Sequence, residues 1–508
     1  MARCLISGVP RISVRPLPFQ IIQMPDQMVF LYETHHAFRI IPTDGRAHLL
    51  LTSSSDAVHA RSEGSHSMAR ALILLAAVAA AACSTTNPEQ PPGESTAIIF
   101  DGARVIVGNG EIIDNATFVV DGGRLTQVGR FGAVQTPRGA RLVDLAGRTV
   151  MPAIIDTHTH LSRERTALVN DLRRRAYWGV GAAMSLGQDD GDVPFQVRDE
   201  TIADAARYRT AGRGITAPEP GRTDIPYWIT SEAEARKAVQ EQAARKVDIV
   251  KIWVDDRDRK FKKLTPALYS AVIDEAHKNG LRVTAHIFTL EDGKGLLRAG
   301  LDAFAHGVRD RDIDDEFVKL IKDRPNVILA PNLPDRGVAA DLSWLSGVIP
   351  AEEVKKLQAS ATDRPEVQQA FGIQARNLAR LNKEGVKIAL GSDGNTPWGP
   401  HLEMEDMVAA GMTPSEVIVA ATRNSAELMK LTDMGTLEAG KSADFVVLNA
   451  NPLDDIANTR TIVSVYLRGT EVNRAGIRAA TSQGTAGSSA PAQPGTSPPA
   501  EPAPSAPR

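Results

Sequence analysis

Met151-Pro-Ala-Ile-Ile-Asp-Thr-His-Thr-His160 is a short apolar run that ends in two histidines one residue apart. On a strand, residues i and i+2 point to the same side. His158 and His160 therefore converge on one point at the strand's C-terminal end. Two neutral imidazoles placed there can hold a divalent metal. The plainer alternative is a surface strand with two exposed histidines. The spacing alone does not separate the two, so the surrounding chain has to decide.

Outward from this run, strand-like and helix-like segments alternate. Strand patterns fall at 149–155, 180–186, 208–215, 247–254, 282–287, 303–307, 327–331 and 387–391. Amphipathic helical segments separate them, among them 231–246, 265–279 and 367–384. Gly280, Gly300 and Gly385 each fall just past a helix, where a left-handed cap is wanted. Eight alternating units predict an α/β protein built on a closed parallel TIM-type (β/α)8 barrel over 151–435. An open doubly wound sheet is the alternative, but it usually carries a Gly-rich phosphate turn after its first strand. Here that position holds His-Thr-His. The long connection 332–382 is a candidate lid. Short β-like runs with Asp-Gly and Gly-Asn-Gly turns fill 97–150 and return in 436–475, which predicts a small β-sandwich domain assembled from both flanks.

The chain has 508 residues, a formal charge of -3 and two cysteines. That balance gives no reason to expect nucleic acid as a partner, and no Cys-rich zinc site is possible. Met68-Ala-Arg precedes an unbroken apolar run, 71–82, and then Cys83. The run suits the h-region of a secretory signal and is too short to span a bilayer. Residues 68–83 are therefore expected to export the protein, as a periplasmic or membrane-anchored bacterial lipoprotein lipidated at Cys83. Simple cleavage after Ala82 is the alternative. Met68 then reads as the initiator, and 1–67 as an over-extended leader or a disordered one. Residues 84–96 read as a tether, and 476–508 as a disordered Ala/Pro/Ser-rich tail.

Six histidines remain after Met68: His158, His160, His277, His286, His306 and His401. His286 sits late in the fifth strand and His306 ends the sixth, so with the first pair they mark C-terminal strand ends, where barrel active sites lie. His277 reads as a solvent-facing residue of a helix's last turn. Lys251 interrupts the apolar fourth strand, a costly place for an ammonium unless it is paired or chemically changed. Its plainer reading is an internal salt bridge with Asp248 or Asp393. Asp393 follows the eighth strand and reads alternatively as a helix cap or loop acceptor.

His-x-His on strand one, Lys on four, His on five, His on six and Asp on eight is the ligand order of the amidohydrolase superfamily, which the chain resembles from about Ala97 to Asn473. The phrases Val150-Met-Pro-Ala-Ile-Ile-Asp156 and Leu437-Glu-Ala-Gly-Lys-Ser-Ala-Asp-Phe-Val-Val447 agree, with Ala153 standing where the family usually has Gly. Within the superfamily the chain looks most like prolidase-like dipeptidases and imidazolonepropionase-related enzymes, a likeness strengthened by the segment from His401 to Pro414.

The resemblance implies two divalent metal ions, with zinc expected. His158, His160 and Asp393 would hold one and His286 and His306 the other. Lys251 would bridge them as a CO2-derived carbamate, and metal-bridged hydroxide would attack the scissile carbonyl. Asp393 would take the water's proton and pass it to the leaving nitrogen. The implied activity is hydrolysis of an amide or peptide C–N bond in a dipeptide or N-acyl amino acid. Cyclic amides, lactones or phosphoesters are the alternative on the same site. A non-catalytic cell-surface binding homologue would betray itself by ligand loss, and all six positions are filled. Candidate substrate contacts lie in the loops after the strands: Arg163, Arg165, Tyr227, Trp228, Arg257, Arg259, Arg309, Arg311, Trp398 and His401. Arginines there could grip a carboxylate bidentately, although most such residues are solvated loop charges. A homo-oligomer is expected.

Overall fold

The computed structural model describes residues 19–24, 27–32, 38–42 and 95–482. The signal-like segment 68–83 with Cys83, the tether up to residue 94 and the tail beyond 482 lie outside the described residues. The chain divides into two units, 1–87 and 88–508. In the first, β1 (Phe19–Met24), β2 (Gln27–Tyr32) and β3 (Phe38–Pro42) pair antiparallel. Strands here correct the expectation of a disordered leader. The physical reason is composition: these short runs are rich in Ile, Val and Phe, whose β propensity acts without a long period.

The second unit begins with β4 (Ile98–Ile106), β5 (Ile112–Asp121), β6 (Arg124–Arg130), β7 (Arg141–Asp144) and β8 (Thr149–Pro152). Parallel strands follow: β9 (Ile154–Thr159), β10 (Val180–Ser185), β11 (Arg207–Thr210), β12 (Ile215–Thr216), β13 (Tyr227–Trp228), β14 (Val250–Val254), β15 (Val283–Ile287), β16 (Ala303–Ala305), β17 (Ile328–Ala330) and β18 (Lys387–Ile388). They pair in the orders β11-β10-β9 and β13-β12-β14-β15-β16-β17-β18. Helices cover the crossovers, and their starts are written locally. Ser231 and Glu234 form a capping box for Glu232–Ala244, and Thr265, Thr289 and Asp314 cap the next three. Past β18 the chain runs beside β9: Thr157 N donates to Leu390 O at 2.9 Å and Asp393 N to His158 O at 2.8 Å.

Two expected strands are corrected. The run 149–155 divides at Ala153, whose N–H donates to Asp444 O while that of Ile154 donates to Gly179 O. The chain changes sheet there, and a continuous apolar pattern cannot mark the change because both sheets bury it. The run 208–215 is interrupted between β11 and β12, where Gly212 takes φ +60°. At the far end β19 (Phe445–Leu448), β20 (Ile462–Leu467) and β21 (Thr470–Glu471) join the first flank in one eight-stranded sheet, order β21-β20-β19-β8-β4-β5-β6 with β7 on β4. Both flanks thus contribute, but to a single hydrogen-bonded sheet. It wraps an aromatic core in which Phe100 stacks on Phe118 at 4.8 Å and Phe445 on Tyr466 at 4.6 Å.

The expected tail starts too early, because Arg474–Ser482 is helical. Asn473 Oδ1 accepts from Gly476 N, the Arg474 guanidinium donates to Tyr177 O and Ile462 O, and Ile477 packs on the core. Those anchors override a low-complexity composition. In the 332–382 connection Leu342, Leu345 and Ile349 pack with Tyr177, Trp178 and Trp398. Among the described residues no helix is long and apolar enough to cross a membrane.

Candidate metal centre

Six ionisable side chains from five strands or strand ends meet. His158 lies in β9 and His160 just beyond it, Lys251 in β14, His286 in β15, His306 directly after β16 and Asp393 shortly after β18. Asp393 Oδ1 is 3.2 Å from His158 Nε2 and 3.0 Å from His160 Nε2, and Oδ2 is 3.4 Å from His306 Nε2. Lys251 Nζ is 3.5 Å from His158 Nε2. The rings of His286 and His306 lie 4.4 Å apart. Ligand atoms of His158, His306 and Asp393 all fall within 4.8 Å of one another. His286 stands one step away, its Nε2 engaged by Asp255 Oδ2 at 2.9 Å.

Burial sets the protonation of the group. It pushes the imidazoles of His158, His286 and His306 well below the ordinary histidine range, with the charges of Lys251, Arg309 and Arg257 adding to the effect. Burial also brings the Lys251 amine down to about 7. For Asp393 burial pushes upward, but the surrounding imidazoles outweigh it and hold the carboxyl ionised. Among the described residues, His160 Nδ1 and both ring nitrogens of His306 are buried without a hydrogen-bond partner. Imidazoles with unused lone pairs beside a carboxylate are the donor set a divalent cation takes, so the residues fit a metal. His306 at φ +148° and Asp393 at φ +48° hold strained backbone, as functional sites often do.

A buried scaffold holds the donors in place. Asp156 accepts from Ser392 Oγ at 2.6 Å, from Ser392 N at 3.0 Å and from His158 N at 3.3 Å, which ties the first strand end to the residue before Asp393. The Asn332 amide lies 2.8 Å from His158 Nδ1, leaving Nε2 to face Lys251 and Asp393. A Cβ on Gly391 would lie 2.8 Å from His158 Cβ and 2.3 Å from Asn332 Oδ1, so only glycine fits there. The salt-bridge reading of Lys251 finds no support. Asp248 instead accepts from Thr210 N and pairs with Arg209, and among the described residues no carboxylate lies within ion-pair distance of Lys251.

Of the candidate substrate contacts, three are committed elsewhere. His401 is fully buried, with Nδ1 2.9 Å from Thr459 Oγ1 and Nε2 2.9 Å from Trp178 O. Trp398 packs in the aromatic cluster around Trp178. Tyr227 sits on the edge strand β13 beneath the Arg213 guanidinium, 4.0 Å from its ring centre. These three pack the fold, and a position after a strand could not reveal that. Arg163, Arg165 and Arg311 form exposed pairs with Asp190, Glu200 and Asp310. Arg309 differs: its Nε and Nη2 are buried without a partner among the described residues, and its charge acts on Asp393 and Asp255.

The sequence reading missed Asp255, Glu219 and Asn332. Asp255 Oδ2 accepts from Arg257 Nη1 at 2.7 Å, and Glu219 Oε1 accepts from Arg257 Nε at 3.2 Å. Arg257, Asp258 and Arg259 run consecutively at φ 53°, 58° and 64°. Such non-glycine left-handed residues cost roughly 1–2 kcal/mol each. Asp255 Oδ1 and Asp256 Oδ1 accept from the amides of Arg257 and Arg259 and hold the turn. The signal available was the charge run 255–259, directly after the strand that carries Lys251.

Comparison with known proteins bears on the family. The imidazolonepropionase of Deinococcus radiodurans is 26% identical over 395 residues, 72% of this chain and 94% of that one. The ochratoxinase of Aspergillus niger is 28% identical over 299 residues, 55% of each chain. Among solved structures, a Bifidobacterium longum protein described as a prolidase matches at 27% identity with a TM-score of 0.62, covering 76% of this chain and 98% of that one. The sequence profile of the amidohydrolase family matches residues 149–472, so nearly the whole span from β8 to the last strand is accounted for. The chain belongs to the amidohydrolase family.

Proposed function

We propose that this protein hydrolyses an amide or peptide C–N bond in a small substrate, a dipeptide or N-acyl amino acid. The observation that carries the reading is the convergence of the buried, neutral imidazoles of His158 and His306, with His160, on the ionised Asp393 beside a lysine whose amine is brought down to about 7. On this reading β9 to β18 close into one (β/α)8 barrel, supported by the hydrogen bonds from β9 to residues 390–393. The flanking sheet folds over its aromatic core as a small sandwich.

His158, His160 and Asp393 would hold one divalent metal and His286 and His306 a second, with zinc suited to the imidazole donors. Bound metal supplies Lewis-acid polarisation of the scissile carbonyl and acidifies water. The neutral Lys251 amine takes up CO2, forming an N–C bond and losing a proton to solvent. The resulting carbamate would put a negative charge at Lys251 that bound metal could compensate. Asp393 accepts the proton of the attacking water and delivers it to the departing nitrogen. Asp156 and Asn332 hold Asp393 and His158 in register for that transfer.

A second reading, hydrolysis of a cyclic amide, is favoured by the likeness to imidazolonepropionase, which extends over 94% of that enzyme's length. Parallel assays of the metal-reconstituted protein on dipeptides, N-acyl amino acids, hydantoins and organophosphates decide between them. Turnover confined to the linear amides supports the first reading, and turnover confined to the ring substrates replaces it. Export through the 68–83 segment, lipid attachment at Cys83 and assembly as a homo-oligomer are part of the same proposal.

A further inference from the structure

Two arginines beside the centre keep donors that the fold does not use. Arg309 N donates to Phe288 O, which fixes its backbone, yet its side chain presents Nε and Nη2 buried and unpartnered among the described residues. Nε and Nη2 form the side-on edge of a guanidinium, the edge that meets both oxygens of a carboxylate at once. Arg257 offers a third such donor. Its Nε is taken by Glu219 Oε1 and its Nη1 by Asp255 Oδ2, with His286 Nε2 3.3 Å away, but its Nη2 is buried with no partner among the described residues. Buried N–H groups are nearly always satisfied, and Arg309 alone among the described arginines leaves both donors of one edge buried and free, so with Arg257 Nη2 beside it the pair can take an acceptor from outside the chain. The two guanidiniums act on the same surroundings: the Arg257 charge reaches Arg309, and both reach His286 and Lys251.

We infer that Arg257 and Arg309 form a clamp for a carboxylate carried by the substrate, with the Nε/Nη2 edge of Arg309 as its bidentate half and Arg257 Nη2 as its second jaw. The inference rests on the hydrolase reading and narrows its substrate to a singly charged acid. Glu219 also pairs with Arg222, so three guanidiniums face the two carboxylates of Asp255 and Glu219; a monoanion balances the remaining charge and a phosphate dianion overfills it. The left-handed turn at 257–259 gives the arrangement its geometry, because it turns Arg257 back toward Glu219 and His286.

Titration calorimetry of the full chain with N-acetylglycine, N-acetyl-leucine and N-acetyl-phenylalanine, each beside its primary amide, tests the clamp. At least one acid is expected to bind about tenfold or more tightly than its amide. Arg257→Gln and Arg309→Gln are each expected to abolish that preference, while Arg257→Lys keeps part of it. Circular dichroism confirms that the variants remain folded. The same titration on chelated protein separates the clamp from a metal, since the clamp keeps its acid preference without one. Equal binding of acid and amide overturns the inference. So does no binding in any pair, or a preference that survives in both glutamine variants. If the acids bind as expected but no amide is hydrolysed, the hydrolase reading falls and the clamp stands.

Discussion

Replacing Gly214 by alanine tests how the centre is supported from below. An alanine Cβ there would lie 2.0 Å from Trp253 Cζ3, 2.6 Å from Cη2 and 3.0 Å from Cε3. The backbone cannot retreat, because Gly214 N donates to Gly187 O at 2.8 Å and Gly214 O accepts from Tyr227 N at 2.7 Å. Gly214 lies outside the left-handed region, so the cost is steric rather than conformational. The indole lies under Lys251, with Nζ 5.4 Å from the ring centre, and moving it disturbs the amine's position. Overpacking of this kind costs about 1–3 kcal/mol. A glycine-to-alanine change without a clash contributes about 0.4–1 kcal/mol in the opposite direction. The net expectation is a loss of about 1–2 kcal/mol in the wild-type background. With Trp253→Leu the clashing atoms are gone, and Gly214→Ala becomes neutral or stabilising by up to about 1 kcal/mol. Urea unfolding of wild type, both single variants and the double variant measures the difference as a coupling energy of about 1–3 kcal/mol. An equal cost of Gly214→Ala in both backgrounds would refute the reasoning.

Further outcomes follow from the same structure. If Asp393 is the proton carrier and a metal donor, as proposed, Asp393→Asn lowers kcat by at least about 10²–10⁴-fold in a steady-state assay on any substrate the protein turns over. His401 titrates at about 4 because it is buried. Its unfolded form takes up a proton below about 6.5. Stability is thus fully present above that pH and is lost as pH falls toward 4, by about 2–3 kcal/mol at pH 4.5. His401→Gln should flatten that acid-side loss in urea midpoints compared at pH 7 and pH 4.5. Cys83→Ser should remove palmitate labelling from the full chain expressed in a bacterial host, and retained label would refute lipidation at that residue.

Much of the centre could be read from sequence because the needed geometry is a consequence of strand periodicity. The i, i+2 spacing places His158 and His160 on one side, and the structure brings both to Asp393 Oδ1. Lysine in an apolar strand announced itself as an anomaly, and burial brings its amine down to about 7. The helix starts at Ser231 and Thr265 were legible for the same reason: a cap is a local event. The misses arise where tertiary contacts decide. Burial of His401 depends on Trp178 and Thr459, which are far away in sequence. The left-handed turn of Arg257 to Arg259 contains no glycine to mark it and persists because Asp255 and Asp256 bond its amides. The passage between sheets at Ala153 hides in an apolar run that both sheets bury.

The central claim is that six residues hold two metals with Lys251 between them. Metal analysis of the purified full chain, reconstituted with zinc in the presence and absence of bicarbonate, measures this directly. The account predicts about two metals per chain with bicarbonate and fewer without it, and a Lys251→Met protein that no longer responds to bicarbonate. Less than about one metal per chain under both conditions would contradict it.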